Sequence, residues 1–213
     1  MKLIAVNIAQ AKQLSYRGQA VQTGIFKEPV TKPVMVRTSG LDGDKVADLS
    51  VHGGVYKAVY AYPVEHYEYW KPRLGRMDLP FGQFGENMTV EGMTEDRVQI
   101  GDVFRIGDAV LQVTQPRLPC YKLALKMGSM KFPKQFLASG RVGYYFRVLE
   151  EGTVGRGDRI QRVSVDPAGV TIQAIVRLAF TDNGNTPAIK KALAIPALSQ
   201  EWRSLLEERL AAA

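Results

Sequence analysis

Residues 100–113 read IGDVFRIGDAVLQV, which is two short apolar runs, 103–106 and 109–113, each preceded by a Gly-Asp pair. Short runs rich in β-branched and aromatic residues predict strands, and Gly-Asp pairs predict tight turns between them. Similar runs recur at 2–9, 33–37, 55–61 and 144–149. Repeated short strands with such turns favour a barrel or a sandwich over a doubly wound sheet.

Helical spacing of apolar residues interrupts this β-rich pattern. A helix is predicted from Pro63 to Arg73 and a second one over 132–140. Beyond Asp166 the pattern changes, and three short helices are predicted over 170–180, 186–195 and 199–210. Thr186 and Ser199 are the predicted N-caps of the second and third of these helices. We therefore predict a mainly β (α+β) protein, with a β-barrel domain at 1–166 that carries a few packed helices and a three-α-helix domain at 167–213.

The composition excludes several classes of protein. The 213 residues are 46% hydrophobic and 23% charged, as in ordinary globular domains, and no apolar run approaches the roughly 20 residues of a spanning helix. One cysteine cannot form an internal disulfide, and the first residues alternate like a strand and do not resemble a signal peptide. We expect a cytoplasmic protein with no membrane association.

The net charge of +7 is concentrated in one segment. No acidic residue lies between Asp108 and Glu150. The basic residues of that segment are Arg117, Lys122, Lys126, Lys131, Lys134, Arg141 and Arg147. Such a segment is either a solvated basic face or one wall of a site for a phosphate or another anion. No nucleic acid polymer is expected as a partner, because the chain lacks helix-turn-helix, zinc-finger and RNA-recognition patterns.

The only cysteine, Cys120, lies in this acid-free segment, in the sequence QPRLPCYK at 115–122. The two flanking prolines restrict the backbone, which predicts a stiff loop at the end of an apolar strand. Arg117 and Lys122 would favour the thiolate, the form that attacks electrophiles and binds soft metals. The alternative is an inert, buried cysteine.

Two further motifs contain candidate ligand-binding residues. In VHGGVYKAV at 51–59, the glycine pair can turn backbone N–H groups toward an anion, and His52 and Lys57 can add donors; the alternative is a tight turn with a satisfied histidine. In FGENMTV at 84–90, Asn87 can donate and accept hydrogen bonds at once.

The remaining acidic and histidine residues are interpreted as structural. Asp42, Asp44 and Asp48 do not follow the order of a calcium-binding loop and are predicted to be turn and cap residues. His66 lies inside the first predicted helix and is interpreted as structural or exposed.

Five motifs taken in order resemble the MOSC domain family, named for the C-terminal domain of molybdenum cofactor sulfurase. They are LDGD at 41–44, VHGG at 51–54 followed by KAVY at 57–60, FGEN at 84–87, IGD at 100–102 and PRLPC at 116–120. With the three-helix tail, the likeness is greatest to the YiiM-like branch, and it implies a MOSC-type β-barrel.

The resemblance also implies a function and a site. It implies the molybdenum cofactor (molybdopterin) with Cys120 as metal ligand, and reduction of small N-hydroxylated compounds such as hydroxylaminopurine base analogues, a detoxification. Cys120 and His52 are the implied catalytic residues. The implied cofactor-binding residues are His52, Gly53, Gly54, Lys57, Asn87, Arg117 and Lys122.

Electrons would come from a separate reductase partner, because the chain has no flavin, nicotinamide or iron–sulfur motif. Two alternatives use the same pocket. One is a carrier of the molybdenum cofactor, or of sulfur as a persulfide on Cys120. The other is an anion- or nucleotide-binding module without catalysis. The sequence does not fix the oligomeric state.

Overall fold

The structure is a computed structural model that describes residues 1–45 and 54–212. The strands in these ranges are β1 Lys2–Ile8, β2 Lys12–Tyr16, β3 Gln19–Thr23, β4 Glu28–Val30, β5 Val34–Arg37, β6 Gly40–Leu41, β7 Val59–Pro63, β8 Met88–Glu91, β9 Val103–Ile106, β10 Ala109–Pro116, β11 Tyr144–Glu150, β12 Gly152–Val154 and β13 Ile160–Ser164. The helices are α1 Glu65–Leu74, α2 Tyr121–Met127, α3 Phe132–Ala138, α4 Ile172–Phe180, α5 Thr186–Leu193 and α6 Gln200–Ala211, and a 3-10 turn covers Val55–Lys57. None of these helices has the length and apolar character that a bilayer span requires.

One large sheet organises the chain. Its eight strands lie in the order β13-β9-β10-β11-β7-β8-β1-β4, and all neighbours are antiparallel except β7 and β8. The parallel pair needs a crossover connection, and α1 lies within it. Two small sheets flank the large one: β12-β5-β6 and the hairpin β2-β3.

The predicted α+β class is confirmed, and the large sheet is an open ladder, not a closed barrel. Strand β1 and the residues that lead into β13 meet at one corner, where Lys2 bridges to Arg159 and Leu3 N–H donates to the Asp158 carbonyl at 2.9 Å. Gly157 N–H also donates to the Leu3 carbonyl at 2.8 Å, and farther along β1 its Val6–Ile8 segment pairs with β4.

The first predicted helix exists but begins two residues later than expected. Pro63 ends strand β7, where it pairs with Val90, so α1 begins at Glu65. The helix predicted over 132–140 is observed as α3. Helix α2 was not predicted. It begins directly after Cys120, and Gly128 ends it in a left-handed conformation at φ 66°.

The three predicted C-terminal helices are observed as α4, α5 and α6. The predicted cap Ser199 is confirmed, since its hydroxyl accepts from Trp202 N–H at 3.4 Å. Thr186 is the first residue of α5 and not its cap; the Asn185 side chain accepts from Ala188 N–H instead. Trp202 is fully buried, which packs α6 into the core.

Aromatic side chains fill the space between α1, α3 and the sheet. Tyr62 lies 4.5 Å from Phe84 between ring centroids, and Trp70 lies 5.0 Å from Phe132. Trp70 also donates its indole N–H to the Tyr62 hydroxyl at 2.8 Å. This packing fixes the 84–87 loop and the two helices behind the region that contains Cys120.

Candidate functional site

Cys120 lies where the end of β10 leads into α2. Strand β10 ends at Pro116, and the cysteine is the N-cap residue of α2, with an extended backbone and a partly exposed side chain. The intervening loop is held to the next strand because Arg117 N–H donates to the Gly143 carbonyl at 3.1 Å. The thiol is therefore carried on a short, anchored connection.

Cys120 lines a pocket together with four of the other predicted site residues: Lys57, Asn87, Arg117 and Lys122. The same pocket receives Lys27 and Lys45 from the N-terminal part of the chain. Five basic side chains thus line it, against one carboxylate, Asp44, in the part of the chain that the structure describes. An excess of positive charge in a concave site favours an anionic ligand.

Arg117 is the most deeply placed of these cations. Its guanidinium donates to the Phe84 carbonyl at 2.5 Å and to the Tyr60 hydroxyl at 3.3 Å, and it lies 4.7 Å from the centroid of the Tyr60 ring. Only 6% of the residue is exposed. Within residues 1–45 and 54–212, no carboxylate lies within ion-pair distance of it. A buried cation so arranged favours an anion from outside the chain.

Lys27, Asp44 and Asn87 form one wall of the pocket. Lys27 Nζ lies 2.5 Å from an Asp44 oxygen, which also accepts from the Asn87 amide at 2.8 Å. The Asn87 oxygen accepts from Tyr60 N–H at 3.1 Å. Burial lowers the pKa of Lys27, and Asp44 partly offsets this effect. Asn87 therefore lines the pocket, but its amide hydrogen-bonds the scaffold.

The other predicted residues are placed differently. Lys122 is buried, and Lys57 lies on the 3-10 turn and pairs with Glu201 at 2.8 Å. Gly54 is the N-cap of that turn, with φ 90°, and is not among the pocket-lining residues. The predicted residues His52 and Gly53, and Asp48, lie outside the described residues.

The aspartates of the first turn are both used structurally. Asp42 forms an exposed pair with Arg37 at 2.7 Å, as expected of a turn residue. Asp44 also accepts from Ala9 N–H at 2.8 Å. The buried partner of Asp44, Lys27, could not be predicted, because a lysine beside Glu28 and Pro29 carries no local signal of burial.

Two tyrosines that sequence analysis did not select also line the pocket. Tyr60, in the KAVY motif, donates its hydroxyl to the Val142 carbonyl at 2.8 Å. Tyr145 lies beside it on β11, with ring centroids 5.1 Å apart. Burial raises the pKa of both phenols, so they remain neutral near neutral pH. The run of three aromatic residues at 144–146 is the signal that could have identified Tyr145, because successive side chains of a strand point to opposite faces.

His66 is buried beside a carboxylate and does not line the pocket. Its Nε2 lies 2.5 Å from Glu95, and the other Glu95 oxygen accepts from Gly143 N–H at 2.7 Å. Gly143 has φ 66°, and a Cβ there would lie 2.4 Å from the Ala61 carbonyl oxygen. The histidine and Glu95 therefore help to fix the residue whose carbonyl holds Arg117, which confirms a structural role for His66.

Lys126 anchors α2 to two loops. Its ammonium donates to the Ile25 carbonyl at 2.9 Å and to the Gly82 carbonyl at 2.5 Å. Burial lowers the pKa of Lys126 to about 8, a shift that the nearby Glu86 opposes. The orientation of the helix that follows Cys120 thus depends on a lysine whose pKa lies well below the ordinary lysine value.

We expect Lys126→Met to abolish part of the pH dependence of stability. Between about pH 8 and the ordinary lysine pKa near 10.4, the unfolded chain keeps a proton that the folded chain has lost, so the wild type gains stability as pH rises. Methionine removes this gain. Denaturant titrations of both proteins from about pH 7.5 to 9.5 measure it, and exposed Lys131→Met is the control. Equal slopes in wild type and Lys126→Met would contradict the prediction.

Comparisons with known proteins agree with this architecture. The MOSC domain profile matches residues 48–161, and the profile described as the YiiM-like, 3-alpha helix domain matches residues 170–213. The Bacillus subtilis protein YflK is 43% identical over 95% of this chain and 91% of its own length. The crystal structure of YiiM from Geobacillus stearothermophilus superposes with a TM-score of 0.83, at 36% identity, over 98% of each chain.

A third relative is a longer protein. A Gibberella moniliformis protein named a reductase is 29% identical over 99% of this chain, and the match covers 38% of that protein. The two profiles together take in most of the present sequence, and the relatives match it nearly from end to end. The chain therefore belongs to the MOSC domain family, in the YiiM-like group that carries a C-terminal 3-alpha helix domain.

Proposed function

We propose that the chain is a molybdenum-cofactor-dependent reductase of small N-hydroxylated compounds, with Cys120 as the protein ligand of the metal. Membership of the MOSC family supports a molybdenum-cofactor-related function in general. The relative named a reductase supports redox chemistry. The observation that carries the proposal is the buried Arg117, which faces the same pocket as Cys120 and has no carboxylate partner in the described ranges.

The residues present fit this cofactor. A cysteine thiolate is a soft ligand that suits molybdenum, and a phosphate-bearing pterin needs fixed positive charge nearby. The pocket supplies both, with Cys120 on one side and Arg117, Lys57 and Lys122 among its basic residues. The neutral amide of Asn87 is already engaged by Tyr60 and Asp44, so we assign it to holding the wall.

Each residue would then have a limited task. When bound, the cofactor supplies the two-electron removal of oxygen from an N–OH group, which with two protons leaves an amine and water. Cys120 would hold the metal, and Arg117, Lys57 and Lys122 would bind anionic groups. Tyr145 would present a neutral phenol to the pocket. His52 remains the predicted proton donor, since imidazole titrates near neutral pH. A separate reductase would provide the electrons.

The proposal is tested on protein purified from a molybdenum-replete host. We expect roughly one molybdenum per chain by elemental analysis, and conversion of 6-hydroxylaminopurine to adenine when reduced methyl viologen supplies electrons. Apoprotein from a molybdate-starved culture is the matched control and should be inactive. Protein without molybdenum but with labile sulfur on Cys120 would contradict the proposal and support the carrier alternative. Protein with neither would support a non-catalytic binding module.

A further inference from the structure

Glu201 connects the three-helix segment, Ile172–Ala211, to the pocket. It lies in the first turn of α6, and one of its oxygens, Oε2, meets two groups of the sheet region. These groups are Lys57 Nζ at 2.8 Å and Gln115 Nε2 at 3.0 Å. Lys57 lines the pocket, and Gln115 is the first residue of the sequence QPRLPCYK, which contains Cys120.

The flanking contacts fix Glu201 in place. Ser199 N–H donates to the Thr114 carbonyl at 3.3 Å, and fully buried Trp202 follows Glu201 in the chain. The Thr114 hydroxyl donates to the Tyr56 carbonyl at 2.6 Å, within the 3-10 turn that carries Lys57. The start of α6, the end of β10 and the 3-10 turn are thus joined by several hydrogen bonds.

The Gln115 contact shows which way its amide points. The residue is 1% exposed, and its Oε1 has no hydrogen-bond partner among the described residues. Reversing the amide would place this oxygen against the Glu201 carboxylate. Because a buried amide normally satisfies both of its ends, the carboxylate accounts for this orientation of Gln115.

We propose that Glu201 is a positioning residue of the anion pocket: the three-helix segment holds Lys57 in place through this carboxylate. A lysine side chain has high rotamer entropy, and a fixed ammonium binds an anion more tightly than a mobile one. The proposal deepens the proposed function and rests on its anion pocket. The three-helix segment would then contribute to ligand binding without lining the pocket itself.

The test compares Glu201→Gln with Glu201→Ala, because both remove the same charge and only glutamine keeps an acceptor near Lys57. Side-chain exposure of 44% and the good helix propensity of both residues favour folded variants, which thermal melts will verify. The probe is inorganic phosphate, measured by isothermal titration calorimetry at low ionic strength, and no molybdenum is needed. We expect Glu201→Ala to bind phosphate about fivefold more weakly than Glu201→Gln.

The same pair is then made in a Lys57→Met background. If Glu201 acts through Lys57, the ratio of the two dissociation constants falls to about one there. The exposed Glu208, on the same helix, gives the control pair Glu208→Ala and Glu208→Gln, for which we also expect a ratio near one.

The outcomes distinguish this inference from the proposed function. Equal affinities of Glu201→Gln and Glu201→Ala, or a ratio that persists without Lys57, would overturn the positioning role and leave the pocket intact. A wild-type protein that does not bind phosphate at all would overturn both.

Discussion

Replacing Cys120 with serine should lower the molybdenum content of the purified protein by at least about tenfold and remove the reduction of 6-hydroxylaminopurine. Serine is nearly isosteric, but its hydroxyl is a hard, weakly acidic group that does not replace a thiolate on a soft metal. Elemental analysis and the viologen-coupled assay measure the two losses. A thermal melt close to that of the wild type would show that the fold is intact.

The control for this variant removes a different sulfur. Met77 is 77% exposed, and Met77→Leu should leave both metal content and activity unchanged. If Cys120→Ser keeps its molybdenum, the cysteine is not the metal ligand. Lost activity with retained metal would assign the cysteine to sulfur or proton chemistry instead.

Glu86→Gln should destabilise the fold by about 3 kcal/mol in unfolding free energy. Glu86 is fully buried and accepts from Gly82 N–H at 2.8 Å, from Phe84 N–H at 3.0 Å, and from the hydroxyls of Thr89 and Tyr67. A glutamine amide cannot accept at every one of these positions, because its NH₂ would face a donor. Denaturant unfolding of both proteins at neutral pH measures the difference.

An exposed glutamate of the neighbouring strand provides the comparison. Glu91 ends β8, and Glu91→Gln should change stability by less than about 0.5 kcal/mol. A similarly small effect of Glu86→Gln would show that the buried carboxylate is not held by its four donors. The charge of Glu86 raises the pKa values of Lys27 and Lys126, whereas burial lowers them. Loss of that charge should therefore lower both pKa values further.

Local patterns predicted those parts of the site that lie close together in sequence. The prolines around Cys120 predicted its anchored loop, and the acid-free segment predicted the positive pocket wall that contains Arg117 and Lys122. Helix α2 escaped prediction because it is seven residues long and follows a proline-rich stretch that favours extended backbone.

Contacts between distant segments could not be predicted in this way. Gln115 and Glu201 are 86 residues apart, and nothing in the α6 sequence distinguishes Glu201 from its exposed neighbours Glu207 and Glu208. The open form of the sheet could not be predicted either. It depends on which strand covers each part of the β1 edge, and β-rich runs with Gly-Asp turns are compatible with both an open and a closed arrangement.

The corner where Lys2 meets Arg159 also bears on how the chain is synthesised. Lys2 is translated 157 residues before its bridge partner Arg159. Until then the backbone groups on the β1 edge beside Leu3 have no strand partner, and contacts over such long separations form slowly. The nascent chain should therefore be most prone to misassociation before residue 160 emerges, and a chaperone that covers the first strand would act in this interval.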